Sequence, residues 1–288
     1  MKRLLIAIRI AAWLLLIVLL AGIMFRTFER NQVFHPFRKL ESQAAELGWP
    51  FEDVTITTSD GLQLHGWFFP CATNSARARE VVLYCHGNAG NISHRLGACG
   101  ALLETGVNVL LFDYRGYGRS EGRPSEEGTY LDAQAAYRWL KQRGFDPRHI
   151  LAFGESLGGA VAVELAVRER LCGIVVQSSF TSIPDLGAEL FPWLPVRWLA
   201  TIFYDSRAKL GKVRVPVMVM HSRSDRLVRF RHAEANFASA NEPKLLCELA
   251  GDHNDSLSDR KKFVEGVEKF LALIESTNSD PAPTPGSP

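Results

Sequence analysis

The chain reads as an α/β protein: a mostly parallel, eight-stranded sheet with helices on both faces. Three observations carry that reading. From Val81 onward, short continuous apolar runs alternate with helix-like patterns, as expected of parallel strands buried on both faces. A Gly-x-Ser-x-Gly pattern, Gly154-Glu155-Ser156-Leu157-Gly158, sits where one apolar run meets one helical run. Polar residues able to do chemistry fall just past the carboxyl ends of the apolar runs, where open parallel sheets collect reactive groups.

The elements follow in order. Leu4 to Phe25 is almost wholly apolar, broken only by Arg9 near one end. At about 1.5 Å per residue it reaches roughly 33 Å, enough to cross a bilayer core. The run is longer than a usual signal-peptide core and no small-x-small cleavage site follows it, so residues 1–25 read as an uncleaved, single-pass signal-anchor. Basic residues flank both sides, Lys2 and Arg3 before and Arg26 and Arg30 after. The short N-terminal tail favours an extracytoplasmic placement of the remainder. Residues 26–52 read as a linker with an amphipathic helix. Val54–Thr58 and Leu62–Phe69 flank the turn signal Ser59-Asp60-Gly61 and form a hairpin. The later strands are Val81–Cys85, Val107–Phe112, Ile150–Phe153, Ile174–Gln177, Val217–Met220 and Leu245–Leu249. Helices are expected at His94–Glu104, Thr129–Gln142, Leu157–Arg170, Arg231–Ala240 and Arg260–Ile274. Residues 53–275 thus make one domain of ordinary size. Residues 183–210 interrupt the alternation and are rich in aromatic residues and proline, which fits a small helical cap or an ordinary packing helix. The tail, 276–288, has the composition of a disordered segment.

The chemistry starts at Ser156. A strand–Gly-x-Ser-x-Gly–helix junction is so tight that its flanking positions need minimal side chains, and it holds the serine hydroxyl exposed above the sheet. A serine hydroxyl needs a general base, and the base an orienting acid. Asp225 follows the Val217–Met220 run in a polar turn, and His253 lies on the loop after Leu245–Leu249. Those positions make Asp225 the acid and His253 the base. Asp185 is a rival acid on a less defined strand end. His221 reads as a strand-end structural histidine, Asp252 and Asp255 as turn and cap residues, and Asp113 as structural. Negative charge developing on a substrate oxygen would meet two backbone N–H groups. Leu157, first in its helix, supplies one with the favourable end of the helix dipole. The loop His86-Gly87-Asn88 after Val81–Cys85 supplies the other, at Asn88. That loop lacks the Lys-Ser/Thr ending and the glycine spacing of nucleotide-binding loops.

These motifs, with Phe112-Asp113-Tyr114-Arg115-Gly116-Tyr117-Gly118-Arg119-Ser120 and Gly251-Asp252-His253-Asn254-Asp255, resemble those of the α/β-hydrolase superfamily. Within it the chain is similar to the membrane-anchored branch that includes protein depalmitoylases and serine-aminopeptidase-like hydrolases. The resemblance runs from about Val54 to Leu273. It implies the α/β-hydrolase fold, Ser156, Asp225 and His253 as a catalytic triad, Asn88 and Leu157 as oxyanion donors, and no metal or organic cofactor.

The balance of 33 basic and 31 acidic residues argues against a nucleic-acid partner. Five cysteines cannot all pair within the chain and lack metal-like spacing; Cys85, Cys172 and Cys247 read as small buried hydrophobes. The expected function is a membrane-bound serine hydrolase of acyl ester or thioester bonds, on lipid-like or acylated-protein substrates. A serine peptidase on the same triad is the alternative. A non-catalytic binding protein on the same fold is a third reading.

Overall fold

A computed structural model of the chain describes residues 2–255 and 257–279. Among them, eight strands form one sheet: β1 (Glu52–Thr57), β2 (Gln63–Phe69), β3 (Val81–Cys85), β4 (Asn108–Phe112), β5 (Ile150–Glu155), β6 (Gly173–Gln177), β7 (Val217–Ser222) and β8 (Lys244–Leu249). Their spatial order is β8-β7-β6-β5-β3-β4-β2-β1. Only the β1–β2 and β2–β4 pairs are antiparallel. The remainder is parallel, and β3 to β7 are buried along their whole length except at Glu155, the last residue of β5.

The buried runs explain why these residues form strands. Valine and isoleucine are stiff at χ1 and fit a pleated surface covered on both sides. One face packs against α3 (Glu126–Gln142), α4 (Leu157–Arg168) and α8 (Arg231–Ser239), through residues such as Ala136, Val161 and Ala233. The other packs against α2 (Leu96–Leu103) and α9 (Arg260–Ser279), through Leu102, Phe263 and Phe270. Each large apolar side chain among them, Val161, Leu102, Phe263 and Phe270, taken fully out of water, stabilises the fold by about 1.5–3 kcal/mol. Strand order reverses at β3, whose neighbours are β4 on one side and β5 on the other. Loops leaving β3 and β5 therefore part there and open a crevice.

Three short helices form the cap: α5 (Ile183–Leu190), α6 (Val196–Leu199) and α7 (Ser206–Leu210). The Ser182 hydroxyl caps α5 by accepting the Asp185 amide at 3.1 Å.

The N-terminal segment differs from expectation. One helix, α1, runs unbroken over Lys2–Val33. It continues eight residues past Phe25. Pro36 ends it, because the residue before a proline is forced out of helical geometry. Apolar side chains from Leu4 to Met24 lie exposed on this helix. Beyond it, residues 34–51 hold no amphipathic α-helix, only extended chain and one 3-10 turn at Ala44–Leu47. His35–Pro36 instead pairs in parallel with Ala89–Gly90 in a separate two-stranded ribbon. At the other end, α9 runs to Ser279, into the segment read as tail; residues 280–288 of that segment lie outside the described residues.

Candidate active site

The junction between β5 and α4 is the centre of the site. Ser156 adopts φ 52° and ψ −114°, a conformation costly for any residue with a side chain. The surroundings enforce it. The Ser156 amide donates to Gln177 O at 2.8 Å, and the Ser179 hydroxyl donates to Ser156 O at 2.7 Å. A Cβ on Gly154 would run into the Gly158 carbonyl, and one on Gly158 into the Cys85 carbonyl. The glycines are thus required by contact between the turn, its helix and β3.

Ser156 Oγ lies 3.1 Å from His253 Nε2. On the far side of the ring, His253 Nδ1 lies 2.7 Å from Asp225 Oδ2. The three side chains come from the ends of three different strands. Asp225 Oδ1 accepts the Leu227 and Val228 amides at 3.0 and 2.7 Å, while Oδ2 also faces His221 Nε2 at 3.2 Å. Burial pushes the Asp225 carboxyl up, but hydrogen bonds from His221, His253 and the Val228 amide, with the charge of His253, outweigh it. The group is held well below the usual carboxylate range. With Nδ1 donating to a carboxylate, Nε2 is left as an acceptor facing the serine hydroxyl. That arrangement can draw a proton from Ser156 as its oxygen attacks a carbonyl carbon.

Two further contacts fix the Asp225 and His253 loops to each other. The Ser222 hydroxyl donates to Gly251 O at 2.5 Å. Asp252 Oδ1 accepts the amides of Arg226 and His253 at 3.0 and 2.8 Å, and Oδ2 accepts Arg226 Nε at 2.7 Å. The Arg226 amide, then the His253 amide and the Arg226 guanidinium, hold the Asp252 carboxyl down at about 2. Asp252 is therefore a clasp between two loops, a larger task than the turn position read from sequence. Asp255 closes the turn, its amide donating to Asp252 O.

The remaining candidates have other partners. Asp185 sits on α5 and accepts from Thr181 Oγ1 and Arg197 Nε, with Arg207 3.5 Å away. His221 Nε2 lies 2.7 Å from Val228 O, so it helps to hold the Asp225 turn. Asp113 is buried beneath the β3 loop and accepts the Ile92 amide at 2.9 Å. Burial, then the charge of Arg95, lowers the His86 imidazole beside it to about 3. All five thiols are free, and Cys247 is only half-buried. Among the described residues, no group of three or more His, Cys, Asp or Glu side chains could hold a metal ion.

Asn88 and Leu157 line the same cavity as Ser156 and His253. The Leu157 amide opens α4 and has no partner within the helix. Gly87 packs against Ser156: a Cβ there would sit 3.6 Å from Ser156 Cβ. The chain leaving α1 holds this loop in place. Asn88 Nδ2 donates to Val33 O at 2.9 Å, and the His35 amide donates to Asn88 O at 3.0 Å.

The cavity measures about 360 Å³ and is mostly apolar. Ile183, Leu186, Phe191, Leu194 and Val196 of the cap form its roof. Phe25, Phe28, Glu29, Gln32 and Val33 of α1 form a second wall, which the sequence reading did not anticipate. Glu29 is buried although it follows an apolar helix. Its Oε1 accepts the amides of Thr201 and Ile202 at 2.8 and 3.1 Å, and its Oε2 accepts the Thr201 hydroxyl at 2.5 Å. One signal was present in the sequence: Glu29 is the first acidic residue of the chain, flanked by arginines at 26 and 30.

Residues 80–203 match the α/β hydrolase fold family. The chain is 44% identical over 246 residues to the uncharacterized protein MT2364 of Mycobacterium tuberculosis, covering 84% of this chain and 87% of that one. It is 31% identical to the uncharacterized protein YfhR of Escherichia coli K12, covering 80% and 83%. Among solved structures, the Pyrococcus furiosus esterase Pf2001 superposes with a TM-score of 0.69 at 23% identity, over 84% of this chain and 97% of that one. The glycine-enforced serine turn, the sheet order and these relationships place the chain in the α/β-hydrolase superfamily.

Proposed function

We propose that the protein is a membrane-anchored serine hydrolase that cleaves acyl ester or thioester bonds. The hydrogen-bonded path from Ser156 through His253 to Asp225, opening into an apolar cavity, carries this reading. Ser156 attacks the acyl carbon while His253 takes its proton. The Asn88 and Leu157 amides hold the oxyanion. His253 then protonates the departing alcohol or thiol, and the acyl group stays on Ser156. Water, deprotonated by the same imidazole, releases the acid and restores the hydroxyl. Asp225 keeps the ring in the working tautomer and stabilises its cationic form.

The lining favours acyl chains over peptides. An aminopeptidase needs a carboxylate free to receive the substrate's ammonium. Among the described residues lining the cavity, Glu29 is the only carboxylate, and both its oxygens are occupied by the cap. The exposed apolar length of α1 supports insertion in a bilayer, and the short tail before it favours the domain on the extracytoplasmic side.

A fluorophosphonate probe tests the chemistry: it should label the full-length protein and fail to label Ser156→Ala. An intact, folded wild type that stays unlabelled would exclude the proposal. A panel of short and long p-nitrophenyl esters, an acyl thioester and an aminoacyl anilide tests the substrate class. Preference for the anilide would reverse the ranking.

A further inference from the structure

The anchor and the catalytic cavity are not separate units. Leu4 to Met24 spans about 31 Å at 1.5 Å per residue, the thickness of a bilayer core. The cavity wall begins at the next residue, Phe25, and continues to Val33, roughly 12 Å further along the axis. Arg26 and Arg30 are exposed at this level, where cations meet lipid headgroups. The apolar surface does not stop there. Phe28 packs edge-on against Phe191 of the cap at 5.8 Å, and Phe191 against Trp193 at 6.3 Å. Trp193 is 75% exposed and Trp198 91% exposed, and neither lines the cavity. Two tryptophans left in water on one small cap are hard to account for in a soluble domain. Trp193 stands at the end of a continuous aromatic ridge leading from the anchor, Trp198 lies on α6 of the same cap, and tryptophan favours the bilayer interface.

We infer that the cap rests on the bilayer from which α1 emerges, with Trp193 and Trp198 seated in the interface, so that the cavity between α1 and cap fills from the leaflet. The inference rests on the hydrolase reading of Ser156 and on α1 as a spanning helix. It adds that the substrate is an acyl ester whose chain already lies in the membrane. The chain enters the cavity beside the Phe28–Phe191 contact, under the cap, without crossing water. Glu29, by binding Thr201 and Ile202, positions the cap beside the anchor.

The test uses full-length protein in phosphatidylcholine vesicles, with and without bromine on the acyl chains. Subtracting the emission of Trp193→Phe/Trp198→Phe from that of wild type isolates these two residues. Both positions are exposed, so the substitutions leave the core intact. Their emission should be quenched by brominated lipid, as should that of Trp13 in α1, and be protected from aqueous iodide. Quenching by iodide but not by brominated lipid would overturn the inference. Protection from both would put a second chain there and overturn it equally. Activity gives a second measure: Trp193→Ala/Trp198→Ala should lower the rate on a long-chain ester in vesicles several-fold relative to a short soluble ester. An unchanged ratio contradicts membrane delivery. Fluorophosphonate labelling of the same samples separates the failures: labelling without lipid quenching sinks only this inference, whereas absent labelling sinks the hydrolase reading itself.

Discussion

The Glu29 carboxylate, at the foot of the long apolar helix α1, accepts the backbone amide of Thr201 at 2.8 Å and so joins that helix to the cap. The carboxylate is buried, and three donors converge on it. Removing an acceptor from buried donors costs about 1–3 kcal/mol, more for a charged group. Glu29→Ala is therefore expected to lower the melting temperature measurably. It should also raise KM for long-chain esters more than for short ones. Glu29→Gln keeps an acceptor oxygen and should lose less on both measures.

The Ser156–His253–Asp225 path leads to a graded set of outcomes. Ser156→Ala should abolish acylation. His253→Gln should reduce it by several orders of magnitude with the fold retained. Asp225→Asn should reduce kcat by about 10⁴-fold, because the amide permits the wrong imidazole tautomer. Steady-state rates on a p-nitrophenyl ester, with circular dichroism as the control for folding, check all three. Near-normal activity of His253→Gln would transfer the base role to another group.

The pH dependence follows from Asp225. Its carboxyl is held below the usual range in the folded state, so it stays ionised through neutral and mildly acidic pH. The acid limb of kcat/KM should then contain no step from this carboxylate across neutral and mildly acidic pH. The same depression sets the stability contribution. It is fully present above the unfolded carboxyl value, about 3.9, and disappears as pH falls through the lower folded value. Urea midpoints of wild type and Asp225→Asn between pH 7 and 3 test the sign: the gap should narrow toward acid.

The glycines of the serine turn make a stability prediction. An alanine at Gly158 would put its Cβ against the Cys85 carbonyl, backbone that belongs to β3. No side-chain rotation relieves that clash, so β3 or α4 must shift. Overpacking of this kind costs about 1–3 kcal/mol or more. Gly158→Ala is expected to melt earlier and to lose activity beyond what its melting explains, since the Leu157 amide would move with the helix.

This turn also shows what was legible in the sequence. Gly154 is dictated by the Gly158 carbonyl and Gly158 by the Cys85 carbonyl of β3, but the residues these contacts demand stand within five positions of one another between an apolar run and a helical run, so local pattern is enough to find them, as it is for apolar strands buried on both faces. Asp225 and His253 could be picked out because each lies on the loop that follows an apolar, strand-like run, β7 and the edge strand β8. The 26–52 segment could not be read that way. Arg26, Glu29, Arg30 and Asn31 break the apolar pattern and suggest that the helix ends. It continues because Glu29 meets amides from a segment 172 residues away, a partner invisible to any local window. The clasp made by Asp252 was hidden for the same reason, since Arg226 lies on another loop.

The β3 loop should depend on the last turn of α1 and the residues after it rather than on the exposed apolar length of the helix. Val33 O holds Asn88 Nδ2, the His35 amide holds Asn88 O, and the Phe37 amide holds Gly90 O at 3.1 Å. Asn91 Nδ2 donates back to Phe37 O and Lys39 O at 2.9 and 2.7 Å. Each such bond adds about 0.5–1.5 kcal/mol, and together they fix the loop proposed to present the Asn88 amide. A chain lacking residues 2–24 keeps every one of them and should remain folded and active on a short soluble ester. A chain lacking residues 2–37 keeps none that depend on Val33, His35 or Phe37. With one oxyanion donor misplaced, its kcat should fall about a hundred-fold or more. Comparing kcat on p-nitrophenyl acetate and melting temperature for the two truncations decides the matter. Equal activity would mean that the loop holds its shape without the ribbon.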